Sequence, residues 1–200
     1  MRESGADRIA AILLAAGFGS RLQALGPKPL LKCQGSSFLE KAVEKAGAAG
    51  FDPLIIVTNP GLLPAISELH VTALIAINDQ PENGMLSSIH IGMRLLPADC
   101  SGFLLCPIDY PLVTFETFHR IFEAHRLHPD RIIKPMYESK SGHPIVIPAA
   151  LFEALGRILP NQGARYLLQQ HPALLHELSV ADPGILININ TPELFHHYCE

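Results

Sequence analysis

The strongest constraint on the fold is a rhythm in which short apolar runs, each bounded by turn-forming residues, alternate with stretches of helical period. The runs at 9–14, 54–57, 73–77, 102–106, 131–135, 144–147 and 185–189 are four to six residues long and are expected as strands. Apolar at consecutive positions more than at every second one, such strands bury both faces, which is the condition of a mostly parallel sheet covered by helices. Between them, residues 38–49 have helix-forming composition and 86–96 place Ile89, Met93 and Leu96 on one face. Thr114 is the expected N-cap of a helix directing Phe115, Phe118, Ile121, Phe122 and His125 inward, with Glu116 in its first turn. A further helix at 149–159 carries Leu151, Phe152, Leu155, Ile158 and Leu159 at helical spacing. The expectation is one α/β domain over residues 1–200, a three-layer α/β/α sandwich with a mostly parallel central sheet. The polar segment 137–142 joins two strands of an antiparallel excursion beside that sheet, and residues 1–8 are expected as a flexible tail.

Composition excludes several classes of function. A chain of 200 residues, 48% hydrophobic and 17% charged, buries a core and is not disordered. Its net charge of −4 supplies no field for a duplex phosphate backbone, so nucleic acid is not an expected partner, although a local cationic pocket for one small anion is compatible with it. No window reaches the roughly eighteen uninterrupted apolar residues of a membrane span, and the run at 9–16 is too short for a signal segment. A cytoplasmic protein is expected. Cys33, Cys100, Cys106 and Cys199 show no CxxC, and a chain of this size needs no disulfide staple, so buried thiols in a reducing compartment are expected.

After the first expected strand come Leu14-Ala15-Ala16-Gly17-Phe18-Gly19-Ser20-Arg21-Leu22 and Gly26-Pro27-Lys28-Pro29-Leu30-Leu31. A small-residue loop at the carboxyl end of a strand in an open α/β sheet is where ligands bind, because backbone N–H groups can approach an anion there. Arg21 and Lys28 add positive charge, and the combination suits a nucleoside triphosphate. It is not a dinucleotide fingerprint, since Leu22 stands where a third glycine belongs, nor a P-loop, since Lys28 is flanked by prolines. The plainer alternative is a tight turn made by Gly17 and Gly19 with two solvated cations.

This stretch resembles the signature of the nucleotidyltransferases of glycosyltransferase-A-like fold, and within them the molybdopterin cytidylyl- and guanylyltransferases. Four further segments match in the same order: Asn83-Gly84-Met85-Leu86-Ser87-Ser88, Pro107-Ile108-Asp109-Tyr110-Pro111-Leu112-Val113, Gly142-His143-Pro144-Ile145-Val146 and Asn188-Ile189-Asn190-Thr191-Pro192-Glu193. The resemblance implies a cytoplasmic, Mg²⁺-dependent (or Mn²⁺-dependent) enzyme that moves CMP or GMP from CTP or GTP to a phosphorylated acceptor such as molybdopterin, releasing pyrophosphate. It also implies a molybdoenzyme as recipient of the product, and the expected oligomeric state is a monomer or weak homodimer. Two alternatives stay open: a cytidylyltransferase for a sugar- or alcohol-phosphate of the methylerythritol phosphate kind, and a non-catalytic nucleotide-binding module that inserts a cofactor into an oxidoreductase.

The resemblance assigns Arg21, Lys28 and Asp109 to catalysis, and Leu14, Ala15, Ala16, Gly17, Gly19, Ser20, Gly84, Ser87 and Ser88 to the nucleotide. Asp109 is its metal ligand, with Asn190 and, as an alternative, Asn188. Mg²⁺ takes one or two protein oxygens and keeps waters and phosphate oxygens. Asn188 and Asn190 alternate with Ile187 and Ile189 on an expected strand and so share a face. The plainer roles are loop-capping for Asp109, helix-capping for Ser87 and Ser88, and turn-capping for the asparagines. The Ala-Ala-Gly form at Ala16 resembles the cytidylyl side and the asparagines the guanylyl side, and CTP is the expected base. His143 is assigned to positioning the acceptor, while Arg165 is either an acceptor-phosphate contact or a surface charge. His125 and His128, at i, i+3, lack a third ligand at a natural spacing and are expected as exposed or partly buried side chains.

Overall fold

β1 (Arg8–Leu14) is buried at every position from Ile9 to Leu13. The structure, a computed structural model, describes residues 8–17, 20–159 and 163–200, and only the backbone at Ser20 and Gln23. Short 3-10 turns at Ser20–Leu25 and Lys28–Leu30 lead into a small hairpin, β2 (Lys32–Cys33) and β3 (Ser36–Ser37). α1 (Phe38–Ala49) starts at a reciprocal cap in which the Glu40 N–H donates to Ser37 Oγ and the Ser37 N–H donates to Glu40 Oε2, at 3.1 and 2.8 Å. Next come β4 (Leu54–Thr58), α2 (Leu63–Ser67), β5 (Leu74–Ile77) and α3 (Met85–Met93). β6 (Cys100–Pro107) precedes α4 (Phe115–Leu127), whose first turn is capped by Thr114 as expected. The chain continues through β7 (Ile132–Tyr137), β8 (Lys140–Ser141), β9 (Ile145–Pro148), α5 (Phe152–Gly156), α6 (Arg165–Gln170), β10 (Leu175–Ser179) and α7 (Pro192–Cys199).

The main sheet runs β10-β7-β9-β6-β1-β4-β5, with β8 paired to β7. β1 pairs in parallel with β4 on one side and β6 on the other, and β5 continues the parallel run. Side chains alternate across β1: Ile9, Ala11 and Leu13 enter the apolar layer shared with α1 and α4, and Ala10 and Ile12 the layer shared with α3, α5 and α6. This is the expected three-layer α/β/α domain. No helix among the described residues is long and apolar enough to cross a membrane.

Several expectations are corrected. β9 runs antiparallel inside the sheet, between β6 and β7, not beside it. Residues 185–189 are no strand: a 3-10 turn at Pro183–Leu186 leads into extended chain, and the Ile189 N–H donates to Asp109 O at 2.8 Å instead of to a ladder. β10 escaped the sequence because its Leu-His-Glu-Leu-Ser pattern is that of a half-solvated edge strand. The helix expected at 149–159 is a 3-10 turn at Ala149–Leu151 followed by the short α5, with Leu159 60% exposed. Phe115, expected inward, is 46% exposed, whereas His125 is wholly buried. Arg8 begins β1 and so is not tail; residues 1–7 lie outside the described residues.

The cysteines are corrected as well. Cys100 and Cys106 are buried thiols, but Cys33 and Cys199, 166 residues apart, form a disulfide. It ties α7 to the hairpin after the Lys28 turn, within a third apolar cluster of Leu22, Leu31, Phe38, Ile189 and Phe195. Opening this link with Cys199→Ser is expected to lower the unfolding free energy by about 2–4 kcal/mol. The readout is the urea midpoint with the far-UV spectrum unchanged, and an unshifted midpoint would show that the link adds nothing to stability.

Candidate active site

The parallel strands deliver their carboxyl ends to one edge. Because β1 lies between β4 and β6, the chain leaves β1 on one side and returns on the other, which opens a crevice at that edge. A cavity of about 310 Å³ occupies it. Of the residues expected at the nucleotide, Leu14, Ala15, Ala16, Gly17, Gly84 and Ser88 line this cavity, together with Lys28 and Asp109. A larger open groove of about 740 Å³, near Glu40, Glu44, Asp52 and His70, contains none of the expected site residues.

Two asparagines missed in the sequence hold the cavity's walls. Asn59, just past β4, donates from Nδ2 to Ala16 O at 2.8 Å, and the Ala15 N–H donates to Val57 O. Asn78, just past β5, donates from Nδ2 to both Ser87 Oγ and Ser88 Oγ at 2.9 Å, while its Oδ1 accepts from the Gln80 N–H. The available signal was a buried-type amide directly after an apolar run, Thr58-Asn59-Pro60 and Ile77-Asn78-Asp79. Ser87 and Ser88 therefore tie the start of α3 to β5; Ser88 also faces the cavity, and Ser87 is not among its lining residues. The turn before α3 needs Gly84 at φ +84°, which side-chain-bearing residues rarely adopt.

Lys28 and Asp109 meet, with Nζ 3.5 Å from Oδ2 and both side chains mostly buried. The Asp109 segment leaves β6 between Pro107 and Pro111, and the Val113 N–H closes a turn onto Tyr110 O. Beneath it, burial pushes the Cys106 thiol up to about 12, with the Asp109 charge adding to the effect.

The antiparallel course of β9 brings its leading residues to the same edge. Gly142 permits this: a Cβ there would stand 2.1 Å from Ile185 O, and the His143 N–H donates to that carbonyl. The His143 ring lies 5.1 Å from the Tyr110 ring. Burial holds the imidazole below the usual histidine range, opposed by the Asp109 charge. Burial also raises the Tyr110 phenol, opposed by its hydrogen bond with Asn188. Three buried atoms here, Asp109 Oδ1, His143 Nδ1 and Asn188 Oδ1, have no hydrogen-bond partner among the described residues. Buried polar atoms are ordinarily satisfied, so this grouping fits a site that a ligand completes.

Asn188 and His143 flank the Asp109 segment without lining the cavity itself. Arg21 is exposed on its 3-10 turn and Arg165 is exposed at the start of α6, and neither lines the cavity. Asn190 is half-buried, without the unpartnered atom that marks Asn188. Gly19 and the side chain of Ser20 lie outside the described residues. Among the described residues, no group of three or more His, Cys, Asp and Glu forms a metal cluster.

Residues 11–175 match the model of the MobA-like NTP transferase domain. The chain belongs to this family. It is 29% identical over 194 residues to nicotine blue oxidoreductase of Paenarthrobacter nicotinovorans, covering 92% of this chain and 93% of that protein. The bifunctional protein GlmU of Rhodococcus opacus (strain B4) is 31% identical over 130 residues, 60% of this chain but only 25% of its own length. The fold is shared with Rv0371c of Mycobacterium tuberculosis H37Rv, at TM-score 0.83 and 23% identity over 96% of this chain and 97% of that one. Its complex with manganese superposes with a TM-score of 0.80 at 22% identity, over the same shares of the two chains. Molybdopterin-guanine dinucleotide biosynthesis protein A of Archaeoglobus fulgidus follows at TM-score 0.69 and 16% identity, over 96% and 97%.

In this MobA-like domain the lowered His143 sets a pH dependence. As pH falls, the unfolded chain takes up this proton before the folded one does. The His143 contribution to stability is complete above the ordinary value of 6.5 and is lost as pH falls from there toward the lowered folded value. Replacing His143 by Gln is expected to flatten the decline of unfolding free energy between about pH 7 and 5 in urea titrations. An unchanged slope would mean that the ring is solvated in the folded state.

Proposed function

We propose that the chain is a Mg²⁺-dependent nucleotidyltransferase that moves CMP from CTP to a phosphorylated acceptor, molybdopterin being the one that the sequence resemblance implies, and releases pyrophosphate. GTP, with transfer of GMP, is the alternative base. The observation that carries this reading is the junction of the Ala15–Gly17 loop, Lys28 and Asp109 around one cavity at the carboxyl edge of β1 and β6.

The donor set fits a hard divalent cation. Asp109 Oδ1 and Asn188 Oδ1 are unpartnered oxygens of the kind Mg²⁺ prefers, and Asn188 suits the role better than Asn190. Such a cation supplies charge neutralisation on the triphosphate and on the departing pyrophosphate. Backbone N–H groups of the small-residue loop receive the phosphates. Lys28, at 3.5 Å from Asp109, keeps donors for them, and Lys28 more than Arg21 bears the charge of the transferring group. The acceptor phosphate oxygen attacks the α-phosphorus in line; a new P–O bond forms as the bond to the bridging oxygen breaks, and pyrophosphate leaves with the electron pair. His143, neutral through burial and beside Tyr110, positions the acceptor and takes no proton.

Lys28→Ala and Asp109→Ala are each expected to lower pyrophosphate release by at least about 100-fold with the circular dichroism spectrum retained. Near-normal release by either variant would sink this assignment. A thermal-shift panel of CTP, GTP and UTP with Mg²⁺ separates the bases, and equal shifts would contradict the CTP preference. The near full-length match to an oxidoreductase favours a second reading, a nucleotide-dependent redox enzyme. Two-electron reduction of nicotine blue, the dye in that relative's name, at the expense of a reduced nicotinamide nucleotide, with no pyrophosphate release from any triphosphate, would select it.

A further inference from the structure

Lys45 projects from α1 toward the back of the Asp109 segment, away from the nucleotide cavity. Its Nζ donates to Pro111 O at 3.0 Å and to Val113 O at 2.5 Å. The titratable groups that face this ammonium are Lys41 and Glu44 on its own helix, Asp182 across the packing layer, and the neutral Cys106 thiol below. Burial pushes the ammonium down from the usual lysine range, reinforced by Lys41 and opposed by Asp182. A half-buried cation is costly, and here its hydrogen bonds go to two carbonyls of a single turn.

Those carbonyls belong to backbone that no helix or sheet can satisfy. The bend between β6 and α4 has two successive turns, one at 108–109 that puts Asp109 on its near limb and one at 111–112 that puts Pro111 to Val113 on its far limb, the second closed by the Val113 N–H on Tyr110 O. On the near limb, Asp109 O accepts from the Ile189 N–H. At the far end, Asp182 Oδ2 accepts from the Thr114 N–H and hydroxyl at 2.9 Å. Between these anchors the turn bends at Pro111, which has no N–H to contribute, and Lys45 bridges its far limb with two of its three donors. Lys45 thus ties two carbonyls of the far limb to α1.

We propose that Lys45 is a positioning residue of the active site, which fixes the Asp109 carboxylate by chelating Pro111 O and Val113 O from behind and touches neither nucleotide nor acceptor. The inference rests on Asp109 being the cation and phosphate-side ligand, as proposed above. Its consequence is separable from fold stability: without the chelate, Asp109 is present but its turn samples several positions, so cation affinity falls more than the rate at saturating cation.

The test compares the full-length protein with Lys45→Met, which keeps the stem without donors, and Lys45→Arg, which restores two donors. Hydrogen exchange of peptides covering 107–113 and binding of Mn²⁺ by electron paramagnetic resonance are read alongside Mg²⁺-dependent pyrophosphate release. Lys45→Met is expected to weaken Mn²⁺ binding, and to raise the Mg²⁺ needed for half-maximal rate, by about tenfold, the equivalent of two lost hydrogen bonds of modest net strength. Exchange in 107–113 should quicken by a similar factor, the rate at saturating Mg²⁺ should stay within about threefold, and Lys45→Arg should recover most of the loss. If Lys45→Met does not fold, Lys45→Gln, with donors for one carbonyl, takes its place with the same signs. A folded variant with lower thermal stability but unchanged Mn²⁺ affinity and unchanged exchange in 107–113 overturns the proposal. A wild-type protein that binds Mn²⁺ but releases no pyrophosphate defeats the transferase reading alone, and the Mn²⁺ and exchange readouts still decide the role of Lys45.

Discussion

Burial of β1 on both faces organises the rest of the molecule. Its ladder partners are β4 and β6, and its alternating side chains serve two apolar layers at once, with α1 packed on one face and α3 on the other. That arrangement also makes the crevice, because connections diverge on either side of β1. The small residues that follow the strand then approach the loop after β6 across a gap that backbone alone leaves open.

Onto this frame the chain fastens segments from far along the sequence. The antiparallel β9 carries His143 to the edge where Asp109 emerges, and the Ile189 N–H bond to Asp109 O brings Asn188 to the same place. The result is a cavity lined by Lys28 and Asp109, in contact with each other, with the His143 ring and Asn188 packed beside Tyr110 in the Asp109 segment. Asp109, His143 and Asn188 each keep a buried atom without a hydrogen-bond partner among the described residues. A disulfide and an apolar cluster hold α7 against the hairpin after Lys28, so the last helix braces the loop nearest the first strand.

Legibility in the sequence followed locality. Helix α1 lies at the bounds expected from the composition of 38–49, and the structure shows that its Ser37 and Glu40 cap and its Gly50 stop are local chemistry. Thr114 was legible for the same reason, and so was the loop with Gly17 and Lys28, since loops that approach phosphates need small residues and cations in short succession, whereas Gly84 and Asp109 were expected there only through the family resemblance. What stayed hidden depended on neighbours. Residues 185–189 carry a strand pattern but find no ladder, and β10 reads as polar because it lies at an edge. Asn59 and Asn78 bond backbone and hydroxyl groups that only folding brings near them.

By itself, then, the sequence determined the class of fold, the first strand and helix and the small-residue loop that follows that strand, since these follow from hydrophobic period, capping and turn chemistry within a few residues. Tertiary structure decided which of those residues meet. It set Lys28 on Asp109 and left Arg21 in solvent, buried Asn188 Oδ1 without a hydrogen-bond partner among the described residues, and joined Cys33 to Cys199 across 166 residues. The physical reason is that contacts between distant segments depend on strand order and on the direction of β9, neither of which any local window of the chain encodes.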